Sequence, residues 1–147
     1  MSRSSGDSSE ARYFPGVATQ EKLSRERQNT VAIIEDEKDI VEIYSRICAL
    51  MGLTISFIAY DGAEGLEAFR HRGCPDVVLI DHRMPNMTGI EAMERMLDIN
   101  PGASFIVLSA DEEIRQEALD AGACEFIKKP ASIAQINGAI RKVLERR

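Results

Sequence analysis

The chain has 147 residues, 44% hydrophobic and 29% charged, with a formal net charge of −6. That suits one soluble globular domain with an adequate core, and no apolar run approaches the roughly 18 residues of a membrane span; the start, Met1 to Asp7, lacks the apolar stretch of a secretory signal. The acidic balance argues against non-specific nucleic-acid binding, which needs a basic surface, so the expectation is a cytoplasmic protein without a direct nucleic-acid or membrane partner.

Residues 1–29 are dominated by Ser, Arg, Glu and Gln. They read as an N-terminal extension, disordered or partly helical, with a short helix conceivable from Ala18 to Arg27. The domain proper is expected over 30–147. There, strand-like apolar runs at Val31–Ile34, Thr54–Ile58, Val77–Ile80, Phe105–Leu108 and Cys124–Ile127 alternate with helical patterns. Ile40, Tyr44, Ile47 and Met51 share one helix face, as do Ile133, Ile136, Ile140 and Val143. Leu66 and Phe69, then Ile90, Met93 and Leu97, then Ile114, Ala118 and Ala121 mark three shorter helices. Asp61 and Asp111 stand at N-cap positions, and Gly52, Gly73 and Gly122 near helix ends.

β-α repeated five times demands a parallel sheet covered on both faces, and right-handed crossovers make it doubly wound. The runs at 31, 77 and 105 look like buried central strands. The run at 54, interrupted by Ser56, looks like an edge. The last helix ends the chain, so no second domain is expected after it. Cys48, Cys74 and Cys124 form no CxxC, which indicates neither a zinc site nor a disulfide framework. Cys48 and Cys124 read as buried hydrophobes and Cys74 as more exposed. His71 and His82 lack a partner at metal-ligand spacing and read as solvated or capping. The basic C-terminal residues Arg141, Lys142, Arg146 and Arg147 read as a solvated helix end.

All strands of such a sheet end on one rim, where open α/β sheets hold ligands. That rim gathers Glu35, Asp36, Asp81, Ser109 and Lys128 or Lys129. Clustered carboxylates suit Mg²⁺, a hard cation that prefers oxygen. A hydroxyl and an ammonium opposite them suit a phosphoryl group, and a carboxylate can serve as its covalent acceptor. Each residue alone has a plainer reading: a strand-end acid often caps the next helix, a serine is often satisfied by backbone, and Phe126 is by default an ordinary strand aromatic.

Five stretches together resemble the response-regulator receiver domain of two-component signalling: Ile33-Ile-Glu35-Asp36-Glu37, Pro75-Asp-Val-Val-Leu-Ile-Asp81-His-Arg-Met-Pro85, Thr88-Gly89, Phe105-Ile-Val-Leu-Ser109-Ala110, and Gly122-Ala-Cys-Glu-Phe126-Ile-Lys-Lys129-Pro130. The similarity runs from about 30 to the end. It implies a flavodoxin-like sheet of order 2-1-3-4-5 and a stand-alone signalling receiver more than a metabolic enzyme. It also implies that Asp81 accepts a phosphoryl group from a sensor histidine kinase or a phosphotransfer protein. Asp36 would bind Mg²⁺ directly and Glu35 through water, with Asp81 and the backbone carbonyl of Arg83 as further ligands. Ser109 would be the switch hydroxyl, Lys129 the phosphate-binding lysine, and Phe126 the aromatic that turns inward with Ser109. The Lys129–Pro130 bond would be cis. A downstream effector protein would dock on the fourth helix, fifth strand and fifth helix, and a phosphorylation-dependent homodimer through the fourth helix is conceivable.

Three departures stand out. The segment from Ser109 to Gly122 looks about two residues shorter than the family pattern. Thr88 replaces a frequent acid, as an N-cap would. Glu35 replaces a more common aspartate. Arg83 and Asp111, each two residues beyond a site residue, could form an ion pair across the entrance. The competing reading, a small Mg²⁺-dependent aspartyl-nucleophile phosphatase or phosphotransferase, would want a second aspartate where Arg83 stands.

Overall fold

The computed structural model describes residues 29–146; the expectations for the first 28 residues lie outside the described residues. Five strands form one parallel sheet: β1 (Thr30–Ile34), β2 (Thr54–Ala59), β3 (Val77–Asp81), β4 (Phe105–Ser109) and β5 (Glu125–Lys128). Their order is β2-β1-β3-β4-β5, the 2-1-3-4-5 arrangement. Helices α1 (Lys38–Leu50), α2 (Gly62–Arg72), α3 (Gly89–Ile99), α4 (Arg115–Asp120) and α5 (Ile133–Glu145) alternate with them. A single 3₁₀ turn, Glu112–Ile114, precedes α4.

The period of two along each strand separates two cores. Ala32, Ile34, Val78, Ile80, Phe105, Val107 and Phe126 face α2, α3 and α4, where they meet Leu66, Phe69, Met93 and Ala118. Val31, Ile33, Val77, Leu79, Ile106, Leu108 and Ile127 face α1 and α5, where Tyr44, Ile47, Ile136 and Ile140 pack. Strands β3 and β4 are buried at every position. Each such Ile, Leu or Val side chain stabilises the fold by roughly 1.5–3 kcal/mol through burial. Edge strand β2 alternates less regularly and carries a bulge opposite Val31/Ala32.

The helix starts are locally encoded. Asp61 accepts the Glu64 amide, Thr88 and Glu91 form a reciprocal capping box, and so do Ser132 and Gln135. Asp111 caps the 3₁₀ turn through the Glu113 amide. Gly73 closes α2 at φ +86° and Gly52 follows α1 at φ +77°, a region that favours glycine. At the opposite end of the sheet, Asp76 ties β3 to β1: its carboxylate accepts the Thr30 amide at 2.7 Å. Two sequence expectations need correction. Ile133 is 61% exposed, because it occupies the first turn of α5, ahead of the stripe that reaches the sheet. Cys124 is only half-buried, since it precedes β5 instead of opening it. Among the described residues, no helix is long and apolar enough to cross a membrane.

Candidate functional site

Register assembles the site. Asp81, the last residue of β3, pairs with Leu108, and Ser109, the last of β4, pairs with Lys128. One step on, the Lys129 amide donates to the Ser109 carbonyl at 2.9 Å. The Lys129–Pro130 bond is cis, as the family resemblance implied. Glu35 directly follows β1, with its amide on the Ala59 carbonyl at 3.0 Å. Four strand ends thus deliver Glu35, Asp36, Asp81, Ser109 and Lys129 to one rim.

The charges interlock. Lys129 Nζ lies 2.7 Å from Asp81 Oδ1 and 2.9 Å from Glu35 Oε1. Glu35 is 1% exposed and Asp81 5%. Carboxylate oxygens of Glu35, Asp36 and Asp81 all lie within 4.8 Å of one another, with Asp36 on the solvent side. Burial pushes the Glu35 carboxyl up to about 7; Lys129 works against this, while the Asp81 charge adds to it. Burial also raises the Asp81 carboxyl, with Lys129 opposing and Asp36 and Glu37 reinforcing. For Lys129, burial favours the neutral amine, but the hydrogen bonds it donates to Asp81 and Glu35 outweigh it and hold the ammonium above its ordinary range. Three crowded acids against one lysine leave an excess of negative charge that a divalent cation relieves. The donor set, all oxygen and open to water through Asp36, fits Mg²⁺.

Two other groups frame the rim. The Ser109 hydroxyl is buried and accepts the Asp111 amide at 3.0 Å. Arg83 and Asp111 do form the ion pair left open by the sequence, at 3.1 Å. The pair borders a cavity of about 420 Å³ also lined by His82, Met84, Pro85 and Thr88. His82 Nδ1 has no hydrogen-bond partner among the described residues. His71 sits apart on α2 beside Glu67. Phe126 is buried, and the Arg115 guanidinium lies over its ring, 4.7 Å from the centroid. Sequence reading missed that stacking. It also missed the role of Gly89, where any Cβ would stand 2.2 Å from the Asp81 carbonyl oxygen. No local signal reveals either contact, because both depend on how a helix packs against the strand next to it in the chain.

A family model, the response regulator receiver domain, matches residues 31–141. The chain belongs to the response-regulator receiver family. A chemotaxis protein CheY of Thermotoga maritima is 33% identical over 115 residues, 77% of this chain and 95% of that protein. A probable transcriptional regulatory protein, TcrX of Mycobacterium tuberculosis, is 32% identical over 80% of this chain, which spans only 50% of that relative's length. Among solved structures, the chain resembles one in a CheX–CheY–BeF₃–Mg complex from Borrelia burgdorferi, with a TM-score of 0.74 and 29% identity, covering 78% of this chain and 88% of that one. A response regulator receiver domain from Clostridium thermocellum gives a TM-score of 0.75 at 26% identity, over 80% and 95% of the two chains. Receiver domains are mainly signalling modules, and the acidic cluster of Glu35, Asp36 and Asp81 occupies the rim where this receiver has its charged pocket.

Proposed function

We propose that this receiver accepts a phosphoryl group on Asp81 from a sensor histidine kinase or a histidine-containing phosphotransfer protein in the cytoplasm. The observation that carries the reading is the buried Asp81 carboxylate, held at 2.7 Å by Lys129 beside two further acids. In the transfer, an Asp81 carboxylate oxygen forms a bond to phosphorus as the bond from phosphorus to the donor imidazole nitrogen breaks; the imidazole leaves with the electron pair. Asp36 and Asp81, with Glu35 through water and the Arg83 backbone carbonyl, would hold Mg²⁺. When bound, the ion offsets the charge that accumulates between acceptor and phosphoryl oxygens.

Lys129 then has a new partner. Its ammonium, shared in the resting site between Asp81 and Glu35, turns to a phosphoryl oxygen once Asp81 carries the acyl phosphate. Ser109 gives up the Asp111 amide to donate its hydroxyl to the same group. The phosphoryl group favours the state in which both contacts exist, and that population shift is the signal. Phe126, next to this strand end, carries the change toward α4, β5 and α5, where a downstream effector protein docks. Incubation with acetyl phosphate and Mg²⁺, followed by intact mass, tests the reading. One hydroxylamine-labile phosphoryl adduct is expected, dependent on Mg²⁺ and absent from Asp81→Asn; no adduct in the unmodified chain would refute it.

A further inference from the structure

Helices α1 and α5 pack side by side on one face of the sheet, and a pocket stands at each end of the seam between them. The one nearest the site, of about 450 Å³, is walled by Ile40, Ile43 and Tyr44 of α1 and by Pro130 and Ala131 ahead of α5, with Lys129 also in the lining. Its walls are mostly apolar, and Ile43 is left 49% exposed. The pocket at the far end, of about 350 Å³, is lined in part by Met51, Leu144 and Asn29. Asn29 is where the 28 preceding residues join the domain. The chain therefore enters the fold at the foot of a seam whose upper pocket lies beside Lys129 and Asp81.

Charge and reach select the occupant. Residues 1–28 hold five Lys or Arg against four Asp or Glu, a net +1, which leaves −7 on residues 29–147. Glu37, in the pocket wall, and Asp39 beside it are exposed and form no ion pair among the described residues. The two aromatic residues of the extension stand together, Tyr13-Phe14, with Arg12 before them. An aromatic ring is the largest apolar group this extension can bury, and a guanidinium suits a neighbouring carboxylate. Fourteen residues separate Phe14 from Asn29. They reach roughly 21 Å as a helix and up to roughly 50 Å extended. The five residues of β1, which run the length of the seam, cover only about 17 Å. A tether of this length holds its end at an effective concentration on the order of millimolar, so even weak docking is populated.

We propose that the chain's own segment Arg12-Tyr13-Phe14 returns along this seam and docks in the upper pocket. Phe14 seats against Ile40, Ile43 and Ala131, and the Arg12 guanidinium meets Glu37. Seated there, the segment borders Lys129, whose ammonium lies 2.7 Å from Asp81. It screens that side of the site from a donor protein, while a small phosphodonor still enters past solvent-facing Asp36. The docking stands apart from the phosphoacceptor reading above; the screening of protein donors rests on it.

Photocrosslinking in the full chain tests it, with p-benzoylphenylalanine replacing Phe14. Tandem mass spectrometry of the irradiated monomer is expected to place the crosslinks on Ile40, Ile43, Tyr44 or Ala131. Ile43→Glu, at an exposed position, should keep its Tm and lower that yield about tenfold or more. Arg12→Glu should lower it as well, and Glu37→Arg added to it should restore it. Phe14→Ala should be labelled several-fold faster by an autophosphorylated histidine kinase that labels the unmodified chain, with the acetyl phosphate rate unchanged. Crosslinks on any other surface, none in the monomer, a yield indifferent to Ile43→Glu, or crosslinks only between two copies would each overturn the docking. An unchanged kinase rate would overturn the screening. Failure of the phosphoacceptor reading looks different. Acetyl phosphate and Mg²⁺ would then leave no adduct on Asp81, while the crosslink map would stand.

Discussion

The Lys129 ammonium stands 2.7 Å from Asp81 and 2.9 Å from Glu35, bridging two carboxylates that are almost fully buried. One cation does not offset the cost of both anions, and burial leaves each acid with a raised carboxyl pKa. A raised folded-state pKa means that the ionised acid destabilises the fold at neutral pH. Asp81→Asn, which removes one of these charges and keeps the shape, is therefore expected to leave the Mg²⁺-free protein as stable or more stable. Urea denaturation at pH 7.5 without Mg²⁺ measures this. Lys129→Ala should do the opposite, costing roughly 3 kcal/mol by leaving two buried carboxylates unpaired.

Proton and metal compete for the same acids. Glu35 goes from an ordinary 4.5 to about 7 on folding, so the folded state binds its proton more tightly than the unfolded chain does. Through this group, stability without metal falls as pH rises from about 4.5 to about 7 and then levels. Lys129, raised in the fold, adds stability that is fully present below its ordinary range and is lost only in alkali, so it leaves that window unchanged. Mg²⁺ must displace the Glu35 proton, so its affinity should rise with pH through about 7, by up to about tenfold per pH unit below that point. Thermal melts by circular dichroism, with and without Mg²⁺ at pH 5.5 and pH 8, should show the larger metal-induced gain at pH 8. An equal gain at both would count against Glu35 in the metal site.

Gly89 sets the distance between α3 and the acceptor strand. Its amide donates to the His82 carbonyl at 2.8 Å, and a Cβ would collide with the Asp81 backbone at 2.2 Å. Backbone cannot yield as a flexible side chain can. Gly89→Ala is expected to destabilise by about 1–3 kcal/mol and to slow phosphorylation of Asp81 more than Gly138→Ala does. Equal phosphorylation rates for the two variants would show that the loop tolerates the displacement.

The Arg83–Asp111 pair lies over the entrance, with the Arg83 side chain 74% exposed. Such a pair contributes at most about 1 kcal/mol to stability, so Arg83→Ala should barely move Tm. Its effect belongs on access: with the mouth open, water reaches the phosphoryl group more easily and the adduct should decay faster. Following the half-life of the phosphorylated mass in Arg83→Ala and Asp111→Ala checks this. A half-life unchanged in both variants would assign the pair no gating role.

Much of this was legible in the chain. The apolar runs of β1, β3 and β4 are buried on both faces and read as central strands without ambiguity. Asp61, Thr88 and Asp111 cap where a short polar side chain before an apolar pattern places them. The site acids were identifiable because Asp81 closes a strand and Glu35 and Asp36 directly follow one, whereas Lys129 was told from Lys128 only by the family resemblance. What escaped reading is set by contacts between separate elements. The Glu35–Lys129 bond joins residues 94 apart, Arg115 meets Phe126 from a neighbouring helix, and Gly89 is required by a carbonyl on another element. The stretch after Ser109 forms one 3₁₀ turn and a six-residue α4, where a single helical pattern from Ile114 to Ala121 was expected. The Asp111 cap and the acidic pair after it start the turn early and leave α4 short.

The measurement that bears most directly on the central claim is borohydride trapping. Phosphorylate the full chain with acetyl phosphate and Mg²⁺, reduce the acyl phosphate, and sequence the peptides by tandem mass spectrometry. Homoserine is expected at position 81 and at no other acid, with the signal lost when Mg²⁺ is chelated. Homoserine at Asp36 or hydroxynorvaline at Glu35 instead, or no reduced residue at all alongside turnover of small phosphate esters, would contradict Asp81 as the phosphoacceptor.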